Sequence, residues 1–122
     1  MRRTQTVEEN NESLISNVST SQTITDDNLK QTLLVALSDD SSRKILDAII
    51  DVPKSILEIS NDTQVPMRTV YRKIQLMHDS KLLKISGTIT DSGKKYFLYK
   101  SKIHSITVSY QKNNLIVNMI KN

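Results

Sequence analysis

The 122-residue sequence contains no cysteine and only two glycines, Gly87 and Gly93. A chain without cysteine forms no disulfide bond, no thiolate metal site and no cysteine nucleophile. Two glycines are too few for a glycine-rich loop that cradles phosphate groups, and the Ser, His and Asp residues lack the spacing of a nucleophile motif. These absences predict that the protein is not an enzyme and holds no metal ion or other cofactor.

Long apolar runs are also missing. The longest, such as residues 33 to 37, span about five residues, far fewer than the roughly twenty that cross a bilayer as a helix. Met1, Arg2 and Arg3 are followed by no apolar stretch of the kind found in a secretory signal peptide. The sequence therefore predicts a soluble cytoplasmic protein with no membrane partner.

The charged residues are unevenly distributed along the chain. The formal net charge is +4, but residues 1 to 27 contain two arginines and five acidic residues, a net charge of −3, so the remainder carries +7. A small basic domain attracts polyanions, which favours nucleic acid as a partner without indicating a fold.

Residues 1–27 are rich in Ser, Thr, Asn, Gln and Glu, and their few apolar residues are isolated. Such a segment buries too little surface to offset its ordering entropy. We predict a flexible polar tail over 1–27, either a solvated extension or a segment that binds a partner or is phosphorylated. The folded domain is predicted to span 28–122.

Helical spacing of apolar residues begins after Asp26 and Asp27. The first predicted helix covers residues 28 to 38. Asp40 is suited to cap a second helix, which ends near Asp51 because Pro53 disfavours helical geometry at the residue before it. The apolar residues of these two helices are Leu29, Leu33, Leu34, Leu37, Ile45, Leu46, Ile49 and Ile50.

A capping box announces a third helix. Ser55 is placed to accept the Glu58 amide while the Glu58 side chain reaches back to Ser55. The turn-forming residues 61 to 63 end this short helix, and Pro66 starts the next one, since proline is tolerated in a first helical turn. Two short helices joined by a tight turn form a helix-turn-helix.

The fourth predicted helix, over 66–79, has two opposed faces. Helical periodicity places the apolar residues on one face and a basic, polar set on the other. The apolar set is Val70, Ile74 and Met77, the opposite set is Arg68, Arg72 and Gln75, and Thr69 and Tyr71 lie on the flanks.

From Leu83 onward the apolar period is two, which indicates strands. Residues 83–100 form a predicted hairpin that turns at Asp91-Ser92-Gly93 and carries Lys94 and Lys95 at its tip. A second predicted hairpin covers 103–120. The sequence leaves open whether this C-terminal hairpin covers the core or pairs with another copy of the chain.

Four helices followed by a β-hairpin wing and a C-terminal β-hairpin are the succession of a winged helix-turn-helix, a mainly α fold with a small β part (α+β). This arrangement predicts binding to double-stranded DNA, with helix 66–79 in the major groove and the wing on the backbone. The predicted base readers are Arg68, Arg72 and Gln75, the phosphate contacts are Lys73, Lys94 and Lys95, and Thr69 and Tyr71 bind phosphates or base edges.

The chain also resembles the ArsR-like winged-helix transcription regulators, particularly the small archaeal type. The resemblance lies in residues 33–40, 42–46 and 58–74, above all in Thr69-Val70-Tyr71-Arg72-Lys73-Ile74. It implies sequence-specific binding to operator DNA as a homodimer, with repression as the commoner outcome. Gln64 departs from the pattern, because many such regulators have glycine at this turn. The stranded C-terminus and absent cysteine also depart from the metal-sensing members.

One alternative function belongs to a different class. A winged helix also serves as a protein-interaction module of transcription or replication complexes. In that case Leu76, an apolar residue beside the arginines, would matter more than the arginines themselves. The two functions differ in whether the protein binds DNA at low salt.

Overall fold

A computed structural model describes residues 21–122, which contain four helices and five strands. Helices α1 to α4 are followed by two β-hairpins, so the predicted α+β winged-helix architecture is confirmed. The elements are β1 (Ser21–Thr23), α1 (Asp27–Ser38), α2 (Asp40–Ala48), α3 (Ile56–Thr63), α4 (Met67–Asp79), β2 (Leu83–Ile89), β3 (Lys95–Ser101), β4 (Ile103–Gln111) and β5 (Asn114–Lys121). Within this part of the chain, no helix is long and apolar enough to cross a membrane.

Side-chain caps set where α1 and α2 begin. Asp26 accepts the amides of Asn28 and Leu29 at the start of α1. At α2 the cap is Asp39, which accepts the Ser42 amide, and Asp40 is the first helical residue rather than the predicted cap. The cap therefore lies one residue earlier than predicted, and Asp39 is both the C-cap of α1 and the N-cap of α2.

Helix α2 ends at Ala48, earlier than the predicted end near Asp51. The reason is a long-range bond. The carbonyl of Ile49, the residue after the helix, accepts the Ser101 amide from the end of β3 at 3.0 Å. A carbonyl that accepts a hydrogen bond from a strand is no longer available to accept one within the helix. Apolar periodicity does not reveal that a distant strand competes for this carbonyl.

The predicted capping box at α3 is confirmed, with both bonds between Ser55 and Glu58 present. Gln64 follows α3 in the left-handed conformation, with φ 63° and ψ 17°. Its side-chain amide donates to the Asn61 carbonyl at 2.7 Å. This position is where the resemblance leads one to expect glycine, and the backbone conformation explains why glycine suits it.

We expect Gln64→Gly to raise the free energy of unfolding by about 0.5 to 1 kcal/mol, because glycine adopts positive φ without the steric cost that glutamine bears. Urea denaturation monitored by circular dichroism measures the change. Gln75→Gly is the matched control, since it places glycine inside α4 and should lower stability by about 1 kcal/mol. A loss of stability in both variants would contradict the prediction.

The strands form two antiparallel sheets. Strands β2 and β3 make the wing, which turns at Gly93 with φ 86°. The other sheet has the order β1-β5-β4. Its β4–β5 hairpin turns through Lys112 and Asn113, both at positive φ as a two-residue type I′ turn requires. Both hairpins lie where the sequence predicted them.

The folded domain begins earlier than predicted. Ser21–Thr23 pairs with β5, and Ile24 is 6% exposed and belongs to the core. The predicted boundary between tail and domain at residue 28 is therefore too late. Residues 1–20 of the predicted tail lie outside the described residues.

One core lies between the helices and the sheet that contains β5. Its buried members come from all four helices, from the segments that connect the helices and strands, and from both sheets. They are Ile24, Leu33, Ile45, Ile49, Ile59, Val65, Val70, Ile74, Met77, Leu82, Leu83, Ile103 and Val117.

Candidate nucleic-acid interface

Helix α4 has the two faces that the sequence predicted. Its buried residues are Val70, Ile74 and Met77, which belong to the core. Arg68 and Arg72 are exposed on the opposite side. The core thus holds one side of the helix rigidly while the guanidinium groups face solvent.

The other predicted readers of α4 differ in accessibility. Tyr71 is 60% exposed, whereas Thr69 is less accessible and half-buried. Gln75 is exposed, and its side-chain nitrogen lies 3.5 Å from Asp79 Oδ1. A single hydrogen bond of this length leaves the Gln75 amide available to another partner.

Lys73 is placed differently from the other basic residues of α4. Its ammonium group lies 3.0 Å from Asp39 Oδ2, at the cap of α2. The Ser42 hydroxyl and the Lys73 ammonium stabilise the Asp39 carboxylate and lower its pKa from 3.8 to about 2. Lys73 therefore joins α4 to the α1–α2 corner. The sequence predicted a phosphate contact for this lysine and did not indicate the ion pair.

The wing carries Lys94 and Lys95 at its exposed end, as predicted. Lys94 follows the turn, and its amide donates to the Thr90 hydroxyl at 3.0 Å. The Lys95 ammonium lies 5.5 Å from the centre of the Phe97 ring. Phe97 faces Gly87 on the other strand, so no side chain covers the ring from directly across the wing.

A groove of about 550 Å³ separates α4 from the wing, and we call it the aromatic groove. Burial raises the pKa of the Tyr99 hydroxyl, and the nearby Tyr71 hydroxyl raises it further. Two backbone hydrogen bonds, of 2.8 and 3.0 Å, tie Tyr99 to Lys54 just before α3 and hold the base of the wing against the helix-turn-helix. The groove is lined by Ile56, Met67, Arg68, Tyr71, Tyr96, Phe97 and Tyr99.

The sequence did not predict the aromatic groove. Tyr96, Phe97 and Tyr99 indicated only a strand. One signal was available. Phe97 and Tyr99 are two residues apart and therefore point to the same face of β3. Phe97 is nevertheless 48% exposed, because the wing extends past the end of the core.

Positive charge is concentrated in the second half of the chain. Residues 64–122 contain 11 Lys and Arg against 2 Asp, a net charge of +9, whereas residues 1–63 contain 6 against 11 acidic residues, a net charge of −5. Between residues 21 and 122, the ion pairs involve Lys30, Arg43, Lys44, Lys54 and Lys73. None of these pairs includes Arg68, Arg72, Lys94 or Lys95, so no carboxylate of the described residues neutralises them.

The histidines do not form a metal centre with other residues of the described part of the chain, where no group of three or more His, Asp and Glu side chains is placed to hold an ion. His78 lies in the last turn of α4 and His104 lies on β4. The exposed side chains of α4 and of the wing carry guanidinium, ammonium, amide and aromatic groups.

Comparisons with known proteins support the fold. No family model matches the sequence, and a comparison with curated proteins found no match. The structure is similar to the crystal structure of NolR from Sinorhizobium fredii, with a TM-score of 0.51 and 13% sequence identity over 63% of this chain and 72% of that one. At this identity the likeness establishes a shared winged-helix fold.

Proposed function

We propose that this protein is a transcription regulator that binds double-stranded DNA in a sequence-specific manner. The observation that carries the proposal is the exposed arginine face of α4, which lies beside a basic wing on a winged-helix fold. A helix with side chains is about 10 to 12 Å wide, close to the width of the major groove. In this proposal α4 enters the major groove and the wing contacts the flanking backbone.

Each exposed residue of α4 has a role that suits its chemistry. Arg68 and Arg72 bond in pairs to guanine O6 and N7, and Gln75 bonds to adenine N6 and N7. Tyr71 and Thr69 donate hydroxyl protons to phosphates or base edges. In this proposal Lys73 stays paired with Asp39 and fixes the position of α4, rather than contacting a phosphate itself.

The aromatic groove fits the DNA strand that passes between α4 and the wing. A helix in the major groove and a hairpin on the adjacent backbone leave one sugar–phosphate strand between them. Tyr71 and Phe97 offer apolar surface to the deoxyribose. Lys95, whose ammonium lies 5.5 Å from the centre of the Phe97 ring, is placed to neutralise a phosphate of the same strand. This explains why aromatic side chains are exposed there.

We further propose an ArsR-like regulator of the small archaeal type, acting in the cytoplasm as a homodimeric repressor. The similarity of residues 69–74 to the recognition helix of such regulators supports the family. The small size of a single winged-helix module supports a dimer, because one module buries only about 600 to 1,000 Å² on DNA.

The proposal is tested by selecting bound fragments from random DNA with the purified full chain. An enriched sequence with two half-sites in symmetric orientation would support a sequence-specific dimer. Affinity for the selected site should fall steeply between 50 and 200 mM salt, as phosphate neutralisation requires. Absence of binding at low salt would overturn the proposal.

Lys94→Ala and Lys95→Ala are expected to weaken binding to all DNA sequences by similar factors, because these lysines contact phosphates. Each should reduce the slope of log affinity against log salt concentration by about 1. Fluorescence anisotropy across a salt series measures the slope. Lys44→Ala, which removes a lysine already paired with Asp40 at 3.2 Å, is the matched control and should leave the slope unchanged. A Lys94→Ala or Lys95→Ala slope equal to that of Lys44→Ala would remove the wing from the interface.

One observation favours the protein-binding alternative. Leu76 is 58% exposed and borders a groove of about 310 Å³ between α1 and α4, together with the exposed Val35. Apolar residues exposed side by side are typical of protein contacts. This function becomes the better one if the salt series above shows no DNA binding.

A further inference from the structure

Strand β4 forms one edge of the three-stranded sheet, and the hydrogen bonds of its neighbour β5 show which way its backbone groups point. The Val117 carbonyl accepts the Ile24 amide at 2.8 Å, on the β1 side of β5. Because the direction of hydrogen bonding alternates along an antiparallel strand, the backbone groups of Ile116 and Asn118 point the other way, towards β4.

The same alternation identifies the open groups of β4. Ser109 lies opposite Ile116 and Thr107 lies opposite Asn118, so both face β5. The N–H and C=O groups of Ile106, Val108 and Tyr110 therefore point out of the sheet. Within the described part of the chain, no backbone group from outside the sheet bonds to them.

The composition of β4 leaves this edge unprotected. Proteins commonly guard an edge strand with lysine, proline or other charged residues. The strands β2, β3 and β5 each contain lysine, but β4 contains no Lys, Arg, Asp, Glu or Pro over Ile103–Gln111. On the face shared with Ile106, Val108 is 41% and Tyr110 68% exposed. An uncharged nine-residue edge with exposed apolar side chains suits another uncharged strand.

We propose that β4 pairs with β4 of a second copy of this chain, antiparallel about a two-fold axis at Val108. The two sheets then join into one sheet of six strands. Every open residue takes part: Val108 faces itself across the axis and Ile106 faces Tyr110, which makes about six backbone hydrogen bonds.

Side chains and charges are compatible with this register. Ile106, Val108 and Tyr110 share one face of β4, so the pairing brings apolar side chains of both copies together and covers the exposed Val108 and Tyr110. At the ends of the paired span, Lys112 faces His104 rather than another lysine. A second copy thus provides hydrogen-bond partners for the open backbone groups of β4 without placing like charges opposite each other.

The inference rests on the homodimer of the proposed function and gives it an interface. It concerns the oligomeric state alone and is tested without DNA. If β4 does not pair, the binding of DNA by α4 and the wing is untouched. If DNA binding fails, the pairing of β4 is still measured.

Cysteine cross-linking tests the register directly, because the chain has no cysteine of its own. Directly opposed residues in a hydrogen-bonded pair have Cα atoms about 5.5 Å apart, within the range of a disulfide. Val108→Cys should therefore form a covalent dimer under mild oxidation. Non-reducing electrophoresis of the full chain follows the reaction.

Ile116→Cys is the matched control. Ile116 is 39% exposed, nearly as much as Val108, but it lies on β5 with its side chain on the other face of the sheet. In the proposed dimer its two copies are three strand spacings apart and offset by two residues along the strands, about 16 Å in all. We expect Val108→Cys to cross-link at least about tenfold faster, since only its thiols are held together. Equal rates for the two variants would overturn the proposal.

A second variant keeps the test independent of thiol chemistry. Val108→Pro removes an N–H that makes no bond within one copy, and proline is tolerated at such positions of an edge strand. Circular dichroism first confirms that the variant is folded. Sedimentation should then show a dimer dissociation constant raised by about tenfold or more. An unchanged dissociation constant, or a wild-type chain that is monomeric at about 100 µM, would contradict pairing through β4.

Discussion

Replacing Arg72 with alanine is expected to weaken binding to the selected DNA site by about 1 to 3 kcal/mol, roughly 5- to 150-fold, and to relax the base preference at one position. The same is expected of Arg68→Ala at a neighbouring position. Both guanidinium groups are exposed on α4, and within residues 21–122 neither takes part in an ion pair. Each is therefore free to bond two acceptors on a guanine.

Arg43→Ala is the matched control for the arginines. It removes the same charge, but Arg43 lies on α2, where its guanidinium contacts Asp40 at 3.5 Å. Titration against the selected site and against an unrelated sequence separates base reading from general attraction. Equal losses on both sequences would show that Arg68 and Arg72 contact phosphates. Normal affinity in both variants would show that the reading face lies elsewhere.

Ile59→Ala is expected to lower the free energy of unfolding by about 2 to 5 kcal/mol, through lost transfer energy and the cavity left behind. Ile59 is 0% exposed and belongs to the core beneath α3. A loss of this size is a large share of the 5 to 15 kcal/mol that stabilises a typical domain. Thermal and urea denaturation measure it.

Leu57→Ala serves as the control on the same helix, because the Leu57 side chain is 55% exposed. Its effect should stay within about 0.5 kcal/mol. The folded fraction of Ile59→Ala should still bind DNA with the wild-type salt slope, since Ile59 contacts no DNA in the proposed complex. If both variants lost stability equally, the inward direction assigned to Ile59 would be wrong.

Features that depend on neighbouring residues were predictable from the sequence. The capping box at Ser55 and Glu58 is confirmed because both of its hydrogen bonds lie within four residues. The turn at Gly93 is confirmed for the same reason, since glycine adopts positive φ at no steric cost and so marks a local turn. The buried face of α4 followed from helical periodicity alone.

Features that depend on distant partners were not predictable. Strand β1 has no alternating apolar pattern and exists because β5 offers it an edge. The Lys73–Asp39 ion pair depends on how α4 crosses the α1–α2 corner. The apolar alternation of β2 is real, but among its apolar residues only Leu83 is buried in the core, whereas Ile85 and Ile89 are exposed. Periodicity shows which side chains share a face and not what that face meets.

The pairing of β1 with β5 also affects how the chain matures on the ribosome. The Thr23 hydroxyl donates to Asn118 Oδ1 across 95 residues of sequence. At a synthesis rate of about 5 to 20 residues per second, β1 waits roughly 5 to 20 seconds for its partner strand to be made. The helices can form meanwhile, but Ile24 has no complete cavity to enter until Val117 emerges. Strand β1 is thus among the last elements to pack, and its pairing with β5 completes the folding of the domain.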